Sequence, residues 1–336
     1  MNIAGEHLAA VESLGYTRDE ARFLYIAATH SGYFVPRQFI AFAGVKWGKR
    51  SDHFTKKLEC RGHASWREYP HLGGVYHLSS KTLYRLIDKE GLRNCRRHST
   101  EFIRTRMLLL DFVLANPAHM YLETEPQKTA YFSEQLGVPR DALPAKAYAG
   151  SDHAEPAVRY FVDRFPLFLD CSNGSGASPI TFSYVDAGEA TLAGLGHHLH
   201  RYKRLFVHLT DFRFLYISNS PVHFIQAEQC FSSFIKGVLE GGVSDDLSRY
   251  FKLRASWDQK QYASLSNDDV EWLERANARF RGPETERGYA AWSAGQLTDE
   301  ALVRPVADAK LPRQFSFSPY LVAPGAAIAK ELGKAG

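Results

Sequence analysis

Cysteine is scarce in this chain of 336 residues. No C-x-x-C pair and no paired histidine spacing accompanies the four thiols, so the usual structural zinc sites are excluded. Isolated thiols of this kind are typical of reduced proteins, in which cysteine serves as a small apolar side chain. We therefore predict that the chain binds no metal and no cofactor. The four cysteines are Cys60, Cys95, Cys171 and Cys230.

Long apolar runs are also absent. No stretch approaches the roughly 20 residues that a membrane-spanning helix needs. The first residues, with Glu6, His7 and Glu12, lack the basic-then-apolar form of a signal peptide. The sequence has no Walker A loop and no internal repeat. With 45% hydrophobic and 23% charged residues, the chain is expected to be a globular cytoplasmic protein that can bury two cores and has no membrane partner.

The most informative pattern lies in the first quarter of the chain. Thr17-Arg18-Asp19-Glu20 has the form of a capping box, in which threonine and a glutamate three residues later satisfy the first N–H groups of a helix. Pro36 favours the first turn of a second helix, and Gly44 favours its end. Phe54 and Leu58 have the i,i+4 spacing of one buried face on a third helix. The predicted helices run from Thr17 to Ser31, from Pro36 to Gly44 and from about Lys49 to Arg61.

A hairpin and a further helix are predicted next. Residues 64–69 and 75–78 favour two strands, joined by a turn at 70–74. Ser80 then caps a helix that ends at Gly91. Helix, helix, basic helix, hairpin and helix is the order of a winged helix-turn-helix domain. The stretch FTKKLECRGHASWREYPHLGGVYHLSSKTLYRLIDKEG resembles the recognition helix and wing of winged-helix regulators.

The predicted third helix carries an excess of cations on the face opposite Phe54 and Leu58. In a winged helix-turn-helix domain this helix enters the major groove, and the wing contacts the backbone or the minor groove. The side chains predicted to contact DNA are Lys46, Lys49, Arg50, Ser51, His53, Lys56 and Lys57 near this helix and Arg67 on the wing.

Positive charge is concentrated in the same region. Residues 46–106 contain 15 lysines and arginines against six aspartates and glutamates, a net charge of +9. The whole chain carries only +4, so the remainder carries −5. Such segregation favours a partner with a phosphate backbone, because each cation that contacts a phosphate displaces counterions. The alternative is a solvated basic face on a domain that makes only protein contacts.

A long helix and a change of composition follow. Ser99 or Thr100 caps a helix whose end, residues 107–114, is apolar nearly all round. This helix must be covered, either by the rest of the chain or by a second copy in a homodimer. Residues 137–156 are rich in proline, glycine and small side chains and are predicted to form a linker.

Beyond residue 164 the pattern is that of an α/β domain. Residues 165–170 and 180–186 favour strands around the turn CSNGSGASP; a helix over 189–206, a strand over 212–218 and a helix over 221–239 follow. Asp170 and Asp186 end the first two strands, and a hairpin could bring both to one edge of the sheet. Adjacent carboxylates at strand ends can hold a divalent cation for phosphodiester hydrolysis.

The order of these segments resembles a known family. A winged helix, then FLD, then a strand ending VDAGEAT, then a helix carrying HHLHRYKRLF is similar to the replication-relaxation proteins of plasmids and conjugative elements. The resemblance spans roughly residues 17–220 and implies a second domain like a restriction-endonuclease core. Such a core needs a lysine two residues after an acid on the second strand, and this chain has none there. We therefore expect a degenerate core without hydrolytic activity.

The sequence thus predicts an α/β multidomain protein with an N-terminal winged helix-turn-helix and a degenerate endonuclease-like α/β domain. The predicted segments are a winged-helix domain over 1–98, a connector helix and linker over 99–150, the α/β domain over 151–285 and a C-terminal tail over 286–336. The expected function is sequence-specific binding of double-stranded DNA, as a transcriptional regulator or a replication or transfer accessory factor of a mobile element. The alternatives are a metal-dependent nuclease targeted by the winged helix and a protein–protein assembly module.

Overall fold

The structure is a computed structural model. It describes residues 3–46, 48–69, 72–92, 94–148, 157–163, 165–170, 179–188, 192–241, 244–262, 265–280, 283–298 and 314–323. The chain divides into two compact units, the first comprising residues 1–205, 211–231 and 314–336 and the second residues 206–210 and 232–313. The predicted boundaries near residues 98 and 150 both lie inside the first unit. Cys171 and the turn over 171–178 lie outside the described residues.

The first unit begins with five helices and three strands. The capping box at Thr17 is present: its side chain accepts a hydrogen bond from the N–H of Glu20, and the Glu20 carboxylate accepts one from the N–H of Thr17. Two elements, the helix over Gly5–Ser13 and the strand over Tyr33–Phe34, were not predicted from the sequence. The elements are α1 (Gly5–Ser13), α2 (Arg18–His30), β1 (Tyr33–Phe34), α3 (Pro36–Ala43), α4 (Lys49–Cys60), β2 (Ala64–Tyr69), β3 (Gly73–Leu78) and α5 (Lys81–Leu86).

A three-stranded sheet closes this region. Its order is β1-β3-β2 with antiparallel pairing throughout, so that β2 and β3 form the predicted hairpin and β1 adds to its inner edge. Phe23, Phe34, Phe39 and Phe54 are fully buried between the helices and the sheet, and the Phe39 and Phe54 rings are stacked at 4.1 Å. This aromatic core fixes α4 against α2 and α3, because offset and edge-on ring contacts are directional as well as apolar.

The predicted connector helix is α6 (Thr100–Ala115). It is buried on nearly every side and packs against α2, β1 and two strands of a second sheet, all within the first unit. The side-chain amide of Gln38 donates a hydrogen bond to the backbone carbonyl of Met107 at 3.0 Å. The apolar surface of this helix is thus covered by its own chain.

The second sheet has five strands in the order β10 (Gln314–Leu321), β9 (Asp211–Ser218), β8 (Ile180–Asp186), β7 (Phe168–Leu169) and β4 (Met120–Tyr121). β7 pairs antiparallel with both β4 and β8. β9 pairs parallel with both β8 and β10. Every residue of β8 is buried, as expected for a central strand covered on both faces. Two helices alternate with its later strands: α8 (Leu192–Val207) follows β8, and α9 (Phe224–Gly241) follows β9.

Two segments differ from the sequence prediction. The expected linker over 137–156 contains a strand, β5 (Ala145–Tyr148), which pairs with β6 (Ala157–Tyr160). Residues 149–156 between them lie outside the described residues. The sequence favours a single helix from Pro126 to Leu136, ended by Gly137, whereas the structure has a short helix α7 (Glu125–Ala130) followed by a π-helical turn (Tyr131–Gln135).

The second unit is helical in its described part. It contains α10 (Ser244–Asp258), α11 (Asn267–Phe280) and α12 (Pro283–Ser293). Tyr250, Phe251 and Phe280 form its buried core, and Arg254 makes a two-pronged ion pair with Glu286 at 2.8 and 2.9 Å. In the region predicted as a C-terminal tail, β10 joins the five-stranded sheet, and Tyr320 packs edge-on against Phe112 at 4.9 Å.

Candidate nucleic-acid interface

The outer face of α4 is formed by an exposed stripe of cationic and polar side chains. Lys49, His53 and Lys56 follow one another at the i, i+4 and i+7 positions of a single helix face, and all three are exposed. The opposite face is fixed by the buried side chains of Phe54 and Leu58. The packing of α4 therefore determines which cations are presented to solvent.

Most of the predicted contact residues lie at the surface. Lys46, Lys49, Arg50, His53, Lys56 and Arg67 are exposed. Ser51 is the first exception, with only 2% of its surface exposed. Its hydroxyl donates a hydrogen bond to the Gly48 carbonyl at 2.8 Å, within the first turn of α4. The prediction that Ser51 faces a ligand is therefore wrong, because the serine points into the fold one turn before Phe54.

Lys57 is the second exception. Its Nζ lies 2.6 Å from Oε2 of Glu20, and the side chains of the two residues are 12% and 4% exposed. The same ammonium lies 5.2 Å from the centre of the Tyr16 ring. Lys57 thus joins α4 to the capping box of α2. The prediction that it faces solvent is wrong, since its partner is a carboxylate 37 positions earlier in the chain.

Arg50 is exposed, but it already has an ionic partner on α2. Its guanidinium lies 2.8 Å from the carboxylate of Asp19, and both side chains are about half exposed, at 49% and 50%. Ion pairs of this exposure contribute only about 0 to 1 kcal/mol to stability. The pair can therefore be exchanged for a stronger contact with a phosphate or a guanine edge without a large loss of stability.

The hairpin of β2 and β3 adds a second exposed surface. Trp66 is 52% exposed and Arg67 is exposed, although they point to opposite faces of the strand. The Trp66 indole lies over Gly74, where a Cβ would come within 2.4 Å of its Nε1. Glycine at 74 therefore allows the ring to lie flat across the hairpin. In the sequence, Trp66 is simply a favourable residue within the predicted strand over 64–69, and its exposure is seen only in the structure.

The base of the hairpin is anchored by a buried polar contact. The Tyr16 hydroxyl and His63 Nδ1 share a hydrogen bond of 2.7 Å. Burial, and then the nearby Arg61 guanidinium, lower the pKa of His63 below its ordinary value. A neutral His63 can accept this hydrogen bond, so the contact holds the start of β2 against the segment before α2.

The basic excess of residues 46–106 is not all on this surface. Lys57, Lys89 and Arg106 are turned inward; Lys89 and Arg106 are 5% and 3% exposed. Lys89 is paired with the buried carboxylate of Glu123 at 2.7 Å. The surface charge near α4 is therefore smaller than the sequence count suggests, and part of that count belongs to the interior.

The structure separates the two candidate catalytic carboxylates. β7 and β8 form a hairpin in which Leu169 pairs with Ile180, so Asp170 lies near the beginning of β8. Asp186 ends β8, six residues further on, or about 20 Å at the rise of a strand. The expectation that a hairpin brings both aspartates to one edge of the sheet is wrong, because the carboxyl ends of two antiparallel strands lie at opposite edges. These two groups cannot share a cation.

Each aspartate has local partners instead. Asp186 is 1% exposed, and its carboxylate accepts hydrogen bonds from the Gly188 N–H at 2.8 Å and the Tyr216 hydroxyl at 2.5 Å. His223 Nδ1 lies 3.4 Å from the same carboxylate. Asp170 lies 3.5 Å from His119 Nδ1. Sequence reasoning missed these partners because they come from other elements.

In the described part of the chain, no three His, Cys, Asp or Glu side chains are grouped so that they could hold a metal ion. None of the described helices combines the length and the apolar character needed to cross a membrane. Comparisons of the chain with protein-family models, with curated proteins and with solved structures find no match.

Proposed function

We propose that this protein is a cytoplasmic, sequence-specific double-stranded DNA-binding protein of the winged helix-turn-helix type. In this proposal α4 lies in the major groove, and the hairpin of β2 and β3 is the wing. The observation that carries the proposal is the exposed cationic stripe of Lys49, His53 and Lys56 on the third helix of a three-helix and hairpin arrangement.

The chain topology supports the winged-helix assignment. In order, the elements are a helix, a short strand, two helices and a hairpin, and the sheet order is β1-β3-β2. β2 begins four residues after α4 ends, so the hairpin starts beside that helix. The antiparallel pairing of β1 with β3 then holds the hairpin against the rest of the domain. A groove-reading helix and an adjacent wing have this relation in winged helix-turn-helix domains.

The side chains on α4 have separate roles in this proposal. Lys49 and Lys56 would neutralise phosphates, which contributes affinity and salt dependence but no sequence information. Arg50 and His53 would reach base edges, where a guanidinium can make two hydrogen bonds to guanine. Arg67 on the wing would contact the backbone or the minor groove.

The biological role in this proposal is that of a regulator or a replication or transfer accessory factor of a mobile element. It follows the similarity to replication-relaxation proteins in the order of segments. A homodimer would place two α4 helices in successive major grooves about 34 Å apart. Because α6 is covered within the first unit, the dimer interface would have to use another surface.

Selection of bound duplexes from fragmented genomic DNA tests the proposal. The pure full-length chain is mixed with the fragments, and retained fragments are sequenced. We expect enrichment of a discrete site that then binds more tightly than unrelated duplexes of equal length. Retention of no duplex at low salt would refute DNA binding, and uniform retention of all fragments would refute sequence specificity. Cleavage of the fragments with magnesium would favour the nuclease alternative.

A further inference from the structure

The β1-β3-β2 sheet has two faces with different surroundings. On one face, Tyr76 stacks on Phe34 at 5.2 Å, and this face packs toward α4. Residues that pair directly in a hairpin share a face, and successive residues of a strand point to opposite faces. Because Trp66 pairs with Tyr76, and Arg67 with Val75, Arg67 lies on the face turned away from α4. We call this second face the far face of the wing.

The segment before α6 crosses the far face. Tyr33 pairs with His77, which lies on the far face two residues beyond the partner of Arg67. The Tyr33 hydroxyl donates a hydrogen bond to the backbone carbonyl of Arg96 at 3.1 Å, and His77 Nε2 lies 3.2 Å from another carbonyl of the segment. Burial is the main cause that lowers the pKa of His77, and the Arg97 guanidinium contributes to the same shift. Two buried rings thus fix this segment against the sheet.

Three exposed guanidinium groups therefore lie on or beside the far face. Arg67 is exposed on β2, and Arg96 and Arg97 are exposed on the segment that crosses the sheet. With neighbouring strands about 4.8 Å apart and a rise of about 3.4 Å per residue, the Cα atoms of Arg67 and His77 are separated by about 8 Å. The three arginine side chains are long enough to reach a common partner.

In the described part of the chain, none of these three guanidinium groups has a carboxylate as an ion-pair partner. Glu68 follows Arg67 in the sequence but points to the opposite face of the strand. Like charges close together repel one another, and an anion with several charges removes this repulsion. Five other exposed arginines of the first unit are each paired with a carboxylate at 2.7 to 3.2 Å, namely Arg18, Arg37, Arg50, Arg85 and Arg204.

We propose that Arg67, Arg96 and Arg97 form a second phosphate-binding surface, which holds the sugar–phosphate strand on the far side of the minor groove that the wing enters. This inference rests on the proposed function, in which α4 lies in the adjacent major groove. The minor groove is about 6 Å wide, so a wing inside it has one strand of the backbone on each side. The far face turns toward the strand that α4 does not reach. Guanidinium groups suit this strand, because each can bind a phosphate through two parallel hydrogen bonds.

Contacts of this kind add affinity and salt dependence but no sequence preference. Variants of the far face should therefore weaken binding to every duplex alike. They should also shorten the protected stretch of DNA on the side of the wing only.

The salt dependence of binding to a mixed-sequence duplex of about 30 base pairs, roughly three helical turns, tests the surface. Arg96→Ala/Arg97→Ala and the control Arg140→Ala/Arg201→Ala each remove two exposed arginines, so that net charge is matched. Fluorescence anisotropy should give a slope of log affinity against log salt that is smaller by about two for the far-face variant and unchanged for the control. An unchanged slope for the far-face variant, or an equal fall in both, would overturn the proposal.

Arg96→Lys/Arg97→Lys separates the charge of these side chains from their effect on the fold. The variant keeps both positive charges, so it should keep most of the slope of the unsubstituted chain. A slope as small as that of the alanine variant would mean that the two arginines act through the fold, and would also overturn the proposal.

Hydroxyl-radical footprinting on the duplex that is retained most tightly in the genomic selection locates the contact. The unsubstituted chain should protect both edges of one minor groove, and Arg96→Ala/Arg97→Ala should lose protection only on the edge away from the major groove read by α4. Loss on both edges alike, or on neither, would overturn the proposal. If no duplex binds, the proposed function fails together with this surface. If duplexes bind and only the far-face effects are absent, this surface fails alone.

Discussion

The outer face of α4 and the buried residues Lys89 and Arg106 draw on the same stretch of basic sequence and use it in opposite ways. On α4, Lys49 and Lys56 are exposed and free to meet a large polyanion. In the interior, Lys89 and Arg106 are almost completely buried, and Lys89 is paired with the Glu123 carboxylate. The comparison teaches that charge density in a sequence reports only the presence of cations. Burial decides whether they provide a surface for DNA or an internal charge cluster.

The largest effect should come from removing the buried carboxylate of Glu123. Glu123→Gln leaves Lys89 without its ionic partner, and loss of one member of a buried pair costs about 3 to 5 kcal/mol of stability. Urea denaturation of the variant should show this loss. Glu90→Gln breaks the exposed pair with Arg85 and should change stability by less than about 1 kcal/mol. Similar losses for the two variants would contradict the difference between interior and surface.

The second effect concerns acid stability. The pKa of His30 is lowered to about 4, so the unfolded chain takes up the proton before the folded one does. Neutral His30 therefore contributes to the stability of the fold above pH 6.5, and this contribution is lost as the pH falls towards 4. For such a shift of the pKa, the loss of stability is about 3 kcal/mol at most. His30→Gln should flatten the fall in stability between these two pH values.

The matched control is His197→Gln, which replaces an exposed histidine on α8. Its stability should follow the same pH profile as that of the unsubstituted chain. If His30→Gln also follows that profile, His30 does not titrate as a buried group.

The third effect separates neighbouring lysines on α4. Lys57→Met should cost about 1 to 3 kcal/mol of stability, because the Glu20 carboxylate is left buried without its cation. Lys56→Met should leave stability unchanged but weaken binding to every duplex alike. Denaturation and fluorescence anisotropy on the same two proteins measure both quantities. A reversal of the two effects would mean that α4 presents a different face to solvent.

The sequence predicted elements well where the determining residues are neighbours in the chain. Thr17 and Glu20 form their capping box within one helical turn, and Phe54 and Leu58 mark the buried face of α4 at i,i+4 spacing. β1 escaped prediction because it has only two residues and is defined by its pairing with β3. Similarly, β5 and β6 have mixed polar patterns, and each is a strand only because the other lies beside it.

The candidate sites depend more strongly on distant partners. Lys57 points inward because of Glu20, and Lys89 because of Glu123, and neither pairing is visible as a local pattern. The antiparallel direction of β7 and β8 separates Asp170 from Asp186, although both end a strand in the sequence. The exposed cations Lys49 and Lys56 could be identified from the helix period alone. The inward position of Lys89 could not, because its partner Glu123 belongs to a distant segment of the chain.

The salt dependence of duplex binding tests most directly whether the outer face of α4 binds DNA. Lys49→Ala/Lys56→Ala and the control Lys146→Ala/Arg201→Ala each remove two exposed positive charges, so that net charge is matched. Fluorescence anisotropy at several salt concentrations should give a slope of log affinity against log salt that is smaller by about two for the α4 variant. The control should keep the slope of the unsubstituted chain. Equal slopes for the two variants would contradict the assignment of α4 as the DNA-binding helix.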